Sequence, residues 1–159
     1  RSILPEPDVL LTTTPKVTGL DGRKMSKSYG NTIGLREDPD AVAAKLKTMQ
    51  TDPARVRRTD PGDPDKCPVW DLHKIYSGAD VQAWVQQGCR SASIGCLECK
   101  KPLIERVVEE VTTMRQRAQE YEDNPDLVRG IISEGCEKAR EVAGQTLDDV
   151  KQAIGLAYR

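Results

Sequence analysis

The strongest constraint on the fold is an apolar stripe in the second half of the chain. Ile104, Val107, Val108, Val111, Met114, Ala118 and Tyr121 recur every three or four residues. That spacing puts them on one face of a helix about five turns long. A strand, with its side-chain period of two, cannot bring such positions to one side.

The sequence from residue 69 onward has the same character. Leu72 and Ile75 predict a short helical turn, and Val81, Trp84 and Val85 a second one between Asp80 and Gly88. Asn124-Pro125 closes the long helix and caps another, which places Val128, Ile131, Ile132, Ala139 and Val142 on a face to be buried and stops near Gly144. Thr146 then caps a last helix through Val150 and Ile154 to Tyr158. Short connections favour antiparallel neighbours in a small bundle. The 159 residues include no Phe, two Trp and four Tyr. The core must therefore be built mainly from Val, Leu, Ile and Ala, which suits packed helices.

The first part of the chain reads differently. Residues 1–37 have no helical period; they carry the apolar run Val9-Leu10-Leu11 and are punctuated by Gly19, Gly22, Gly30 and Gly34, as loop and strand are. Asp38 then caps a helix with Pro39 in its first turn and Val42, Leu46 and Met49 on one face. Residues 51–68, rich in Pro and Gly, predict a long ordered loop, with a domain boundary near residue 50. The expected class is mainly α: residues 1–50 ending one domain and residues 51–159 forming a helical one.

Charge narrows the partners. Lys and Arg number 24 against 25 Asp and Glu, a net charge of −1, so nucleic acid could be met only through local patches. No apolar run approaches a membrane span. Five cysteines, an odd number, with no secretory signal pattern predict a reducing compartment and a cytoplasmic protein. A chain that opens on Arg1 rather than Met reads as a piece of a longer protein.

The most informative string is Lys24-Met25-Ser26-Lys27-Ser28. Lys16, Arg23, Lys24 and Lys27 fall within a dozen residues, two serine hydroxyls interleave with the lysines, and glycines bracket the segment. Lysine is a compact mobile charge suited to polyphosphate oxygens. Hydroxyls add neutral donors, and flanking glycines let such a loop close on a ligand and reopen. On residues alone, a solvated basic loop and a phosphate-binding loop weigh about equally.

The string matches the KMSKS signature of class I aminoacyl-tRNA synthetases. The resemblance continues through Thr51-Asp52-Pro53-Ala54, Arg58-Thr59-Asp60-Pro61-Gly62-Asp63-Pro64 and Cys67-Pro68-Val69-Trp70, where the chain is similar to bacterial tryptophanyl-tRNA synthetases. The tyrosyl enzymes share the loop without this sequel and are the nearest alternative. The resemblance implies a Rossmann catalytic domain, of which residues 1–50 would be the end, followed by a helical anticodon-binding domain. It implies activation of tryptophan with ATP and Mg2+, transfer to tRNA(Trp), and a homodimeric full enzyme whose isolated piece would be monomeric. Lys24, Met25, Ser26, Lys27 and Ser28 become the ATP-contacting loop, Lys24 and Lys27 its catalytic lysines, and Lys27 the pyrophosphate partner. The family's histidine-containing signature is absent. The lone histidine, His73, follows the loop and reads as structural or surface, so this chain by itself should not activate tryptophan.

Cys67, Cys89, Cys96 and Cys99 are spaced C-x21-C-x6-C-x2-C. Four free thiols, a structural zinc site and a four-iron cluster all fit four such cysteines, although zinc ribbons usually show two close pairs and only one is present. Lys66, Arg90, Lys100 and Lys101 flank them and would favour thiolates. Cys136 reads as a buried free thiol on an apolar helix face. The resemblance favours a [4Fe–4S] cluster over Zn2+, because an iron–sulfur subgroup of the family carries a four-cysteine motif of nearly this spacing near its anticodon site. Arg90, Lys100 and Lys101 are then candidate tRNA contacts. A metal-binding RNA module without catalysis is the competing function, and the lysine loop argues against it.

Overall fold

The computed structural model describes residues 3–156 of the chain. It is mainly helical: α1 (Pro39–Thr48), α2 (Pro68–Tyr76), α3 (Ala79–Arg90), α4 (Cys96–Asp123) and α5 (Pro125–Ala153), with 3-10 turns at Lys27–Tyr29 and Pro64–Lys66. Among the described residues the extended structure amounts to one isolated antiparallel bridge, Thr18 with Lys24. The strand expected before residue 37 is therefore absent, and Val9, Leu10 and Leu11 are all exposed. A strand needs a partner strand to satisfy its backbone, and the described residues supply none beyond that bridge.

Residues 11–118 make one compact unit; residues 3–10 and 119–156 belong to a second. The boundary read near residue 50 falls inside the first unit. Val42, Leu46 and Met49 of α1 share a core with Val69 and Leu72 of α2 and with Leu103, Val107 and Val111 of α4. The α1 reading holds in detail: the Asp38 carboxylate accepts from the backbone N–H of Asp40 (3.0 Å) and Ala41 (3.3 Å), and Pro39 opens the first turn. Its other end is closed from a distance. Lys100 Nζ donates to the carbonyls of Lys47 (2.8 Å) and Met49 (2.6 Å), groups that a helix terminus leaves without partners.

Two features of the helices correct the sequence reading. Gly88 does not end α3; it lies inside the helix and is buried, and a Cβ there would stand 2.8 Å from Ile94. It is a close-approach glycine. Likewise α5 does not stop at Gly144. It runs unbroken to Ala153, since one interior glycine costs only about 1 kcal/mol. Thr146, expected to cap a new helix, instead bonds back to the Val142 carbonyl at 3.1 Å as an interior helical threonine does. Nor is the expected face of α5 buried: none of its residues is, and Ile131, Ile132 and Val142 are 50%, 59% and 66% exposed. Cys136 is exposed too, and Tyr158 lies outside the described residues. No helix among the described residues is long and apolar enough to cross a membrane.

Candidate functional site

Two polar sites stand out in the unit of residues 11–118. The first is the lysine loop. Its base is closed by backbone bonds, Gly19 N–H to the Arg23 carbonyl (2.7 Å) and Met25 N–H to the Val17 carbonyl (2.9 Å), with Gly22 in the left-handed region at φ 81° to make the turn. The segment after it winds into the 3-10 turn Lys27–Tyr29 and ends on Gly30, again left-handed at φ 65°.

One buried side chain joins the two halves. Asn31 Oδ1 accepts from Ser26 N–H at 2.8 Å, while its Nδ2 donates to Asp21 Oδ1 (2.6 Å) and to the Lys24 carbonyl (3.3 Å). That donor, with Arg23 beside it, holds the Asp21 carboxyl down to about 2. Arg23 is itself occupied: it pairs with Asp21 at 2.6 Å and lies 4.3 Å from the centre of the Tyr29 ring. Of the four cations counted in the sequence, Arg23 is thus a structural one. Lys24 and Lys27 are exposed, and neither ammonium has a partner among the described residues. Ser26 and Ser28 share a hydrogen bond at 2.8 Å between their hydroxyls. Met25 lines an apolar pocket with Val17, Ile33, Leu72 and Val111, which pins the middle of the string.

The second site is a narrow pocket lined by Cys67, Cys89, Cys96 and Cys99 together with Thr51, Asp52, Arg55 and Val69. The four cysteines singled out by spacing thus meet, and Cys136 is not among them. The approach depends on Gly62, whose N–H donates to the Cys89 carbonyl at 3.0 Å; a Cβ there would fall 2.6 Å from Cys89 Sγ. Burial raises the thiols of Cys67 and Cys89, and pushes Cys99 up to about 12 with the other three sulfurs adding to the effect. The expectation that neighbouring cations hold them ionised is reversed, because burial outweighs the cations. Lys66 and Arg90 pair instead with Asp63 (3.2 Å) and Asp65 (3.3 Å).

The cation that does reach the pocket is Arg55, which spacing did not reveal. It is buried, its Nη2 donates to the carbonyls of Arg58 (2.8 Å) and Ile94 (2.7 Å), and its Nη1 lies 3.9 Å from Cys89 Sγ. Its Nε is buried without an acceptor. His73 is fully buried, with Nδ1 2.7 Å from Ser77 Oγ and Nε2 3.5 Å from Cys99 Sγ, and burial holds its imidazole below the ordinary value. It is structural, as read, and not a surface group.

The pocket gathers sulfur donors and one buried guanidinium. Four sulfurs surround one pocket, and the orphaned Arg55 N–H lacks the kind of acceptor that a thiolate or sulfide provides. Among the described residues no three His, Cys, Asp or Glu side chains stand close enough to share a single metal ion. Of the cations named as tRNA contacts, Arg90 and Lys101 are exposed, whereas Lys100 is 4% exposed and committed to α1, which removes it from any surface RNA could reach.

The sequence profile of the tRNA synthetases class I (W and Y) matches residues 1–112. The chain belongs to that family. It is 60% identical over 158 residues to the tryptophan–tRNA ligase of Ralstonia nicotianae, covering 99% of this chain and 40% of that protein. The Thermotoga maritima tryptophan–tRNA ligase is 42% identical over 98% of this chain and 48% of its own length. A crystal structure of tryptophanyl-tRNA synthetase from Campylobacter jejuni, complexed with ADP and tryptophan, superposes with a TM-score of 0.72 at 28% identity, over 89% of this chain and 44% of that one. The chain thus spans less than half the length of these W/Y synthetase relatives. Asn31 and Asp21, which organise the lysine loop, were not singled out as site residues by the sequence reading.

Proposed function

We propose that the chain is part of a tryptophan–tRNA ligase and supplies its ATP loop and its helical anticodon-binding region. The observation that carries this reading is the loop, where two unpartnered ammonium groups and two hydroxyls sit on a closed turn. In adenylate formation, charge develops on the departing pyrophosphate. A lysine that meets that charge mainly in the transition state raises the rate rather than the ground-state affinity. Lys27 has this role, with Lys24, Met25, Ser26 and Ser28 completing the contact surface for ATP and its Mg2+. The tryptophan–tRNA ligase names of the relatives favour this over a tyrosyl enzyme. In the test, the intact protein exchanges pyrophosphate into ATP when tryptophan is added and not when tyrosine is. An intact protein with no such exchange overturns the reading.

The same reading gives the cysteine pocket a [4Fe–4S] cluster held by Cys67, Cys89, Cys96 and Cys99. What supports it is the lining of one pocket by all four thiols, and the family resemblance favours the cluster over zinc. Such a cluster supplies a rigid anionic cross-link. The residues around it do the rest: Arg55 offers an N–H, Gly62 leaves room, and the thiols release protons on ligation. Arg90 and Lys101 present the nearby positive charge to the unpaired bases and phosphates of an anticodon loop. Footprints of tRNA(Trp) test this, and unchanged anticodon protection in Arg90→Ala and Lys101→Ala overturns it.

A further inference from the structure

The two lysines of the loop have no partner to hold them, yet the peptide units that carry them are fixed. Their orientation traces to one carboxamide. Asn31 accepts from the N–H of Ser26 and donates to the carbonyl of Lys24, so it grips the chain on both sides of Met25. Its remaining donor bond runs to Asp21, at the turn before the lysines. Its own backbone carbonyl accepts from Leu20 N–H at 3.0 Å, and the Leu20 carbonyl accepts from Gln50 N–H at 3.0 Å, just beyond α1. The clamp is therefore tied to a helix of the core rather than floating with the loop. Gly19 is part of the same arrangement, because a Cβ there would overlap the Asn31 carboxamide.

Asn31 is 3% exposed, and its side chain bonds backbone groups and Asp21 rather than either ammonium. A buried amide with both ends occupied is costly to disturb and geometrically exacting. Met25 adds an apolar anchor in its pocket, but an apolar contact does not fix which way a peptide group faces. The carboxamide does. Removing it frees the Ser26 N–H and the Lys24 carbonyl together and lets the turn carrying Lys27 rotate.

We infer that Asn31 is a positioning residue for the nucleotide chemistry, one that aims Lys24 and Lys27 at the anionic groups of ATP without touching them. The assignment rests on the loop being the phosphate-contacting element proposed above. It predicts a rate effect separable from folding and from amino-acid binding, because a displacement of about 1 Å in a catalytic group can cost about a hundredfold.

The experiment uses the intact protein. Asn31→Ala should slow tryptophan-dependent ATP–pyrophosphate exchange by about a hundredfold through kcat. The KM for tryptophan and the transfer of preformed tryptophanyl-adenylate to tRNA should stay unchanged. Lys27→Ala and the double variant complete the cycle, and the double variant should be slower than Lys27→Ala by much less than a hundredfold, since only the aim of Lys24 is left to lose. Amide exchange at residues 24–28 should accelerate in Asn31→Ala while α2 and α4 keep their protection. If that variant fails to fold, Asn31→Asp retains the size and the Ser26 acceptor but sets a carboxylate against Asp21. Its rate should recover when Asp21→Asn is added. A wild-type rate for Asn31→Ala, additive losses in the double variant, or an Asn31→Asp defect that Asp21→Asn leaves unrelieved overturns the positioning role. A wild-type rate for Lys27→Ala overturns the loop reading itself, and the Asn31 assignment with it.

Discussion

The lysine loop and the cysteine pocket lie in one compact unit and solve opposite problems. The loop keeps charge in water. Lys24 and Lys27 are exposed, and what is buried beneath them is a neutral amide. The pocket takes potential charge out of water: burial raises Cys67, Cys89 and Cys99, and Arg55 stands among them with one N–H unpaired. The loop is complete as a structure without a ligand. The pocket gathers four thiols and leaves one buried N–H of Arg55 without an acceptor. The proposed ATP loop would need the former, and the proposed cluster site the latter.

The largest expected effect tests the pocket side of that contrast. Protein prepared without oxygen should be brown and carry iron and sulfide in near-equal amounts. Cys99→Ser should abolish both and open residues 60–100 to protease, because on the proposed reading cluster binding would contribute to folding. Cys136→Ser, on exposed α5, should change neither. Stoichiometric zinc in place of iron would overturn the cluster and require the four thiols to draw together round one ion.

Next comes the loop. Lys27→Ala should lower the rate of adenylate formation by about a hundredfold or more, the scale of losing one transition-state donor, with no change in Tm. A variant that unfolds at lower temperature would show that the loop, too, is structural. Gly62→Ala should do the reverse. Its new methyl meets Cys89 Sγ and the Arg55 side chain, so stability should fall by about 1–3 kcal/mol in thermal unfolding, with the kcat of adenylate formation kept.

The smallest effect is one of pH. The folded Asp21 carboxyl titrates near 2, below its ordinary value of 3.8. A carboxylate depressed on folding contributes its stabilisation above the ordinary value and loses it as pH falls through the folded one. The stabilisation should fade as pH falls from 3.8 towards 2, and the Asn31 side-chain amide signals in an NMR titration should hold from neutral pH and shift as pH falls through about 2, while signals from α2 stay in place.

What could be read from sequence divides along the same line. The cap and buried face of α1 were legible because Asp38, Pro39, Val42, Leu46 and Met49 obey local rules of spacing. Spacing singled out the four cysteines that line one pocket, while the choice of what they would bind came from the resemblance. Arg55 and Lys100 were invisible in their actual roles: their carbonyl partners lie 39 and 51 residues away, and no periodicity encodes such a pairing. Lys100 was even misassigned, since beside a cysteine motif a lysine reads as surface charge. For α5 the pattern named a face correctly as apolar, but amphipathicity states that a face exists, not that it is covered in the described chain.

Lys100 and Lys101 make an adjacent pair with opposite fates, one sealed under α1 and the other in solvent. Amine-reactive reagents should therefore modify Lys101 at once and Lys100 only when the contact between α1 and α4 opens. Both fall on the same short stretch, so the ratio of the two labels is its own internal standard. It converts a static buried ammonium into a clock for the opening of the core.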